Sequence, residues 1–292
     1  MNFEYFAPTT LDEAQAFLRQ SGKKIRMIAG GTDLFLKLKD RLIETDWLLD
    51  ITRIDQLHYI QEDENQGLSI GATTSIRALE RSPLIQKKYP PIFQAARQLG
   101  SVAIRNVGTI GGNLCNGAPS AEMAPALIGL SARMIILTPE GEKIVSLEDF
   151  FVGPGQTVLG PADLLLAIQV PPPSAQMRGV YLKHAYRGSI DLAIVGVAAV
   201  CTIQGEICED IKLVLGAVAP TPMRAKKGEE IIRGKPLREP WIEKASEVAA
   251  EEAKPISDVR ASAAYRREMV RVLTRRAIRE AMAHSPEDQA QR

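Results

Sequence analysis

Apolar and polar positions follow two rhythms along this chain, and together they divide most of it into short helices and strands. Thr10-Leu11-Asp12-Glu13 has the spacing of a capping box, and Leu11, Ala14, Phe17 and Leu18 recur at helical period, which predicts a first helix with Gly22 as its C-cap. Residues 25–29 predict a short buried strand, broken by Gly30-Gly31-Thr32-Asp33 before a second helical stretch over 34–40. A strand is expected at 47–51, a hairpin from 58–62 and 68–72 around a polar turn ending in Gly67, and helices at 75–80 and 91–99. Segment 106–113 is so rich in glycine that an irregular loop with a special backbone is expected there. Residues 133–138 and 143–146, joined through Pro139-Glu140-Gly141, predict a second hairpin, and 164–170 a strand stopped by Pro171-Pro172-Pro173.

No helix or central strand runs through three consecutive prolines, so a domain boundary is expected near residue 175. Beyond it, 180–186, 193–203 and 207–218 read as antiparallel strands, the last two joined at Gln204-Gly205-Glu206, and the pattern then turns helical from about 228 to His284. The polar segment 285–292 is expected to be disordered. This succession of mixed elements, then strands, then helices, predicts an α+β protein.

At 292 residues the chain has room for two or three folding units. With 45% apolar residues, 24% charged residues and a net charge of +1, it has the profile of an ordinary soluble protein, and charge points to no nucleic acid partner. The longest apolar run, 192–203, falls short of the roughly 20 residues a membrane span requires. The start Met1-Asn2-Phe3-Glu4-Tyr5-Phe6 lacks the basic and apolar stretches of a secretory signal, so a cytoplasmic location is expected. Cys115, Cys201 and Cys208 are too scattered for a disulfide framework and read as packed thiols. His58, His184 and His284 lack metal-ligand spacing and read as structural or solvent-facing; no metal site is expected.

Two segments carry candidate chemistry: Ala29-Gly30-Gly31-Thr32-Asp33-Leu34, and Gly108-Thr109-Ile110-Gly111-Gly112-Asn113. Glycine permits positive φ and a close ligand approach, so successive N–H groups can turn toward one anion such as a pyrophosphate. The first segment also opens a helix, whose N-terminus adds partial positive charge. Either segment alone reads equally well as an ordinary turn. GxGxxG after a strand and GK[ST] are both missing, which argues against a Rossmann dinucleotide site and a P-loop.

Taken together and in this order, the two segments resemble the pyrophosphate-binding segments of the FAD-binding medium subunit of molybdenum hydroxylases, the xanthine dehydrogenase and carbon monoxide dehydrogenase family. The resemblance extends to Leu49-Asp50-Ile51, Ile70-Gly71-Ala72, Ile104-Arg105-Asn106-Val107 and Asp191-Leu192-Ala193, and Thr109-Ile110-Gly111-Gly112-Asn113 is its most specific string. It implies a two-part FAD-binding domain of the vanillyl-alcohol oxidase type over 1–175, with parts at about 1–55 and 56–175, and a C-terminal domain over 176–284 of antiparallel sheet and helices. It further implies FAD contacts from Met27, Ile28 and the first segment, and from Thr109 to Asn113, with Leu99 and Gly100 on the adenine side. Glu122 stands where the family has an aspartate, one methylene shorter. Leu165 or Leu166 and Lys183 match the flavin pocket, and Asp191 with Leu192 the segment over the ring. Independently of the resemblance, Lys183 also reads as an exposed strand lysine and Leu192 as plain core packing.

Thr32 and Leu192 stand where the carbon monoxide dehydrogenase branch has a histidine and an aromatic residue, which implies the xanthine dehydrogenase branch. Three cysteines cannot build the extra four-cysteine cluster of the 4-hydroxybenzoyl-CoA reductases. The implied partners are a large molybdopterin-binding subunit and a small subunit with 2Fe–2S clusters, and the implied acceptor is NAD or another oxidant. Two alternatives stand beside this reading: a self-sufficient flavin reductase resembling UDP-N-acetylenolpyruvoylglucosamine reductase, and a flavin-free scaffold subunit.

Overall fold

The computed structural model describes residues 2–19 and 23–283. The first unit holds β1 (Glu4–Phe6), α1 (Leu11–Leu18), β2 (Ile25–Ile28), α2 (Leu34–Lys39) and β3 (Trp47–Asp50). Its three strands are parallel in the order β1-β3-β2. The Thr10 hydroxyl accepts from the Glu13 N–H at 3.2 Å, while the Glu13 carboxylate reaches back to the N–H of Thr9 at 2.8 Å, a capping box stretched by one residue. Phe17 then packs between Phe6 and Trp47, with ring centroids 4.8 and 5.1 Å away. The expected C-cap, Gly22, lies outside the described residues.

The second unit runs through β4 (Ile60–Asp63), β5 (Gly67–Gly71), α3 (Ile76–Arg81), α4 (Pro83–Lys88), α5 (Pro90–Arg97), α6 (Val102–Val107), α7 (Ile110–Cys115), α8 (Met123–Gly129), β6 (Arg133–Thr138), β7 (Gly141–Ser146), α9 (Leu147–Phe150), β8 (Phe151–Gly153), β9 (Gln156–Thr157) and β10 (Leu164–Val170). Five strands form an antiparallel sheet, β4-β5-β10-β6-β7. A register shift between Leu165 and Ala167 leaves Leu166 as the extra residue of a bulge in β10.

Segment 106–113 departs from expectation. Instead of an irregular loop it contains the end of α6, a turn at Gly108 and the start of α7. The Thr109 hydroxyl accepts from the Gly112 N–H at 3.0 Å, and this cap starts a helical turn in spite of Gly111 and Gly112. Glycine in a helix costs roughly 1 kcal/mol against alanine, which tertiary contacts offset here.

The third unit is β11 (Met177–His184), β12 (Val195–Gln204), β13 (Ile207–Gly216) and β14 (Met223–Arg224), antiparallel in that order, followed by α10 (Lys226–Ile232), α11 (Glu239–Glu252) and α12 (Ala263–Ala283). The apolar run seen in the sequence becomes β12, which is buried on both faces. Val195, Val197, Ala199 and Cys201 join a core with the three C-terminal helices, while Ala198 and Val200 join the core of the second unit. This shared sheet fixes β11 against α5 and α8, and so places Lys183 beside Glu122. The helical pattern expected as far as His284 is described to Ala283; His284 and segment 285–292 lie outside the described residues. Among the described residues no helix is long and apolar enough to cross a membrane.

Candidate functional site

The two glycine segments meet. A Cβ on Gly30 would sit 2.0 Å from the Val107 carbonyl oxygen and 2.8 Å from Cα of Gly108, so the first backbone rests directly on the second. Thr32 lies alongside, its hydroxyl 3.8 Å from where a Cβ of Gly108 would be.

Their N–H groups are used differently. In the second segment Gly108 donates to the Ile104 carbonyl, Ile110 to Thr74, Gly111 to Ala72 and Asn113 to Thr109, at 2.7 to 3.0 Å, and Gly112 donates to the Thr109 hydroxyl. In the first, the N–H groups of Gly30, Gly31, Thr32 and Asp33 find no acceptor among the described residues. Gly31 adopts φ +68°, and a left-handed residue inside such a run turns successive N–H groups toward one side, the geometry of an anion nest. Positive φ is confined to Gly31 among the glycines of both segments, contrary to the general role expected for them. Gly30 and Gly111 are needed for close approach: a Cβ on Gly111 would lie 2.6 Å from the Ala72 carbonyl oxygen. Among the described residues the buried amide oxygen of Asn113 has no donor, so it can accept from a hydroxyl-bearing ligand.

Leu99 and Gly100 border this junction, Gly100 at φ +53°. Their carbonyls accept from Nη1 of Arg105 at 3.1 and 2.7 Å, and Arg105 is itself held by Glu80, Nε to Oε2, at 2.8 Å. Neither Glu80 nor Arg105 was singled out as a site residue from the sequence, because nothing in the linear pattern pairs residues 25 positions apart.

Glu122 and Lys183 form a buried ion pair at 2.8 Å, with side chains 5% and 2% exposed. The Lys183 ammonium also donates to the carbonyls of Gln98 at 2.9 Å and Ser189 at 3.3 Å, which engages all three of its protons within the chain. The exposed-lysine alternative therefore fails. Burial pushes the Glu122 carboxyl above its ordinary pKa; Lys183 pulls it back without cancelling the shift, and the nearby Asp33 adds to it. Asp33 thus brings the first glycine segment within electrostatic reach of the pair.

The segment after β11 is more open. Arg187 donates to Asp191 from Nη2 at 2.7 Å and Nε at 3.0 Å, and these bonds hold the Asp191 carboxyl below its usual pKa. Leu192 is 51% exposed, so it is not a core residue. Leu165, 3% exposed, belongs to the core of the second unit, while Leu166 at the bulge packs against the core of the first unit, which Met27 and Ala29 also border. The structure therefore gathers residues 27–34, 99–100, 107–113, 122 and 183 in one region, with Leu166 at its edge and Leu165 behind it.

Residues 1–173 match the FAD binding domain in molybdopterin dehydrogenase, and residues 180–281 the CO dehydrogenase flavoprotein C-terminal domain. The chain is 35% identical to the glyceraldehyde dehydrogenase medium chain of Sulfolobus acidocaldarius, covering 95% of this chain and 98% of that one. It is 31% identical to the xanthine dehydrogenase FAD-binding subunit of Escherichia coli O157:H7, covering 96% of each. A carbon monoxide dehydrogenase structure from Hydrogenophaga pseudoflava superposes with a TM-score of 0.93 at 32% identity, over 97% of this chain and 98% of that one. Identities of 31% and 32% do not separate the two branches that Thr32 and Leu192 were read to distinguish. Both parts of the chain match this one subunit type, which disfavours the self-sufficient reductase. The chain belongs to the family of FAD-binding medium subunits of the molybdenum hydroxylases, and is an oxidoreductase subunit.

Proposed function

We propose that this chain holds FAD at the junction of the two glycine segments and relays electrons for a molybdopterin-dependent hydroxylase. A large molybdopterin-binding partner oxidises the substrate, a small partner passes electrons through its 2Fe–2S clusters, and this chain delivers them to NAD or another acceptor. Bound FAD supplies the conversion between single-electron arrivals and a two-electron discharge. The observation that carries the reading is the row of four N–H groups at 30–33 with no acceptor among the described residues, backed by a second segment whose own N–H groups are nearly all satisfied.

In this arrangement Met27, Ile28 and Ala29 lead into the row, and Gly30, Gly31, Thr32 and Asp33 bind the pyrophosphate with Leu34 behind them. Thr109 to Asn113 form the opposing wall, where the Asn113 amide oxygen accepts a cofactor hydroxyl. Leu99 and Gly100 border the adenine, positioned by Arg105. Leu166, Lys183 and Glu122 lie on the flavin side; because Glu122 balances Lys183, the pair presents a dipole to the ring and not a net charge. Asp191 and Leu192 border the face open to the acceptor. We place the division between the FAD-binding and C-terminal parts near residue 175, after the three prolines, with the first part itself divided near residue 55. The complex works in the cytoplasm, where unpaired cysteines such as Cys115, Cys201 and Cys208 are stable and NAD is at hand.

Titrating the flavin-free chain with FAD tests the binding step: one FAD per chain, with loss of the free flavin's fluorescence, is expected. A folded chain that takes up no FAD would end the proposal. For the relay, the chain co-expressed with both partners and reduced by substrate should be reoxidised by NAD or an alternative acceptor in stopped flow, with the flavin band returning.

A further inference from the structure

A second polar cleft, of about 380 Å³, lies at the far end of α8 from Glu122, among Ser131, Arg133, Ile144, Ser146, Glu148 and Lys212. Ser131 follows the helix in the left-handed region, at φ 60°, a position usually taken by glycine or asparagine. A serine there is strained, and what it adds over glycine is a hydroxyl in the cleft. Lys212, from β13 of the C-terminal sheet, donates to that hydroxyl. Arg133 and Ser146 are directly paired between β6 and β7, so their side chains share one face of the sheet.

The charges around the cleft do not balance. Glu148 is taken by Lys226 at 2.7 Å and Arg224 at 3.2 Å, Glu229 by Arg224 at 2.6 Å, and Asp210 by Arg233 at 3.0 Å. Among the described residues Arg133 has neither an ion pair nor a side-chain hydrogen bond, and Lys212 has only a neutral hydroxyl. The Ser131 hydroxyl accepts from Lys212 and the Ser146 hydroxyl accepts from the Glu148 N–H, which leaves both protons free to donate. A guanidinium, an ammonium and two hydroxyls thus converge in a cleft whose one carboxylate, Glu148, is already taken by Lys226 and Arg224. Burial, then the neighbouring Arg224, pushes the Lys212 pKa down, and Asp210, Glu229 and Glu148 pull it back without cancelling the shift; a bound anion would relieve the remaining penalty. Beside these donors Ile128 and the 59% exposed Ile144 form an apolar wall.

We propose that this cleft binds a small phosphorylated compound, its oxyanion held by Lys212, Arg133 and the hydroxyls of Ser131 and Ser146, and its apolar body laid on Ile144 and Ile128. Because Lys212 comes from the C-terminal sheet and the other groups from the second unit, the ligand would tie the two together at a place separate from the glycine segments. The oxyanion could equally arrive as free phosphate, so both sources enter the test.

Calorimetric titration of the full FAD-loaded chain with phenyl phosphate should show saturable binding at one site. Arg133→Met and Lys212→Met should each weaken it about tenfold or more, the loss expected for a charge-assisted hydrogen bond, with FAD content unchanged. Tighter binding of phenyl phosphate than of inorganic phosphate identifies an organic phosphate as the ligand, and equal binding identifies the free ion. Should Lys212→Met fail to fold, the exposed Arg133 still supplies the decisive variant. Absence of saturable binding, or an Arg133→Met chain that binds as tightly as the wild type, overturns the proposal.

Discussion

Residues 29–34 and 108–113 are alike in composition, yet their backbones serve different ends. In the first, one glycine takes a left-handed conformation and four consecutive N–H groups have no acceptor among the described residues. In the second, nearly every N–H is spent on Ile104, Ala72, Thr74 or Thr109, and glycine serves close packing. One segment presents donors and the other braces it. Counting glycines would therefore miss the distinction; what separates a binding loop from a supporting one is where the amide protons go.

Breaking the contact between the segments should have the largest effect. In Gly30→Val the first added carbon would fall 2.0 Å from a backbone oxygen, which no side-chain rotation can relieve. We expect a loss of about 3 kcal/mol or more in urea unfolding, and no FAD retained after gel filtration. Gly111→Val meets the Ala72 carbonyl at 2.6 Å and should cost about 2–3 kcal/mol. It also loses FAD, but through displacement of the brace. If a folded Gly111→Val chain kept FAD at full occupancy while Gly30→Val lost it, the brace would be dispensable and the second segment would not belong to the site.

Much of this architecture was legible in the chain. The hairpins of β4 with β5 and β6 with β7, the long strands β12 and β13 and the first helix follow their hydrophobic period closely. Several short elements were not legible, and three of them show the physical reason. Strand β1 is three residues long and mostly exposed, too short for any period to register. Helix α8 is buried on every side and so shows no polar face. Helix α7 was hidden by its glycines, whose propensity the Thr109 cap and the Ala72 contact override. At the site, composition pointed to the glycine segments and the resemblance ordered them. The pairs Glu80 with Arg105 and Glu122 with Lys183 span 25 and 61 residues, and only the folded sheet brings the second pair together.

A smaller change sharpens the comparison from the side of the brace. Thr109→Ala removes the cap on α7 and frees the Gly112 N–H, at an expected cost of about 1 kcal/mol. Since the presenting segment keeps its four N–H groups, the FAD dissociation constant measured by fluorescence titration should rise only a few-fold, about what that loss of stability allows. A loss of FAD binding as complete as that of Gly30→Val would mean the Thr109 hydroxyl contacts the cofactor itself.

The smallest expected effect concerns charge. Asp33 is exposed, lies in the presenting segment and helps to raise the pKa of Glu122, whereas the bracing segment contains no ionisable residue. Glu122 has a folded pKa above its ordinary value of 4.5, so its contribution to stability is fully present below that value and is lost as pH rises through the folded pKa. Asp33→Asn removes part of the upward push, lowers the folded pKa and should make the loss smaller. The flavin-free variant should therefore match the wild type near pH 4.5 and become more stable than it on the way to neutral pH. Because Asp33 is solvated and screened, the gain should be only a few tenths of a kcal/mol and should shrink as salt is added. Thr109→Ala provides the control, since losing a neutral cap should shift stability equally across the same range. Parallel urea-unfolding series at low and high salt can resolve the two cases. If Asp33→Asn were offset from the wild type by a constant amount at every pH, the presenting segment would not be coupled to the buried pair, and the electrostatic half of the comparison would fail.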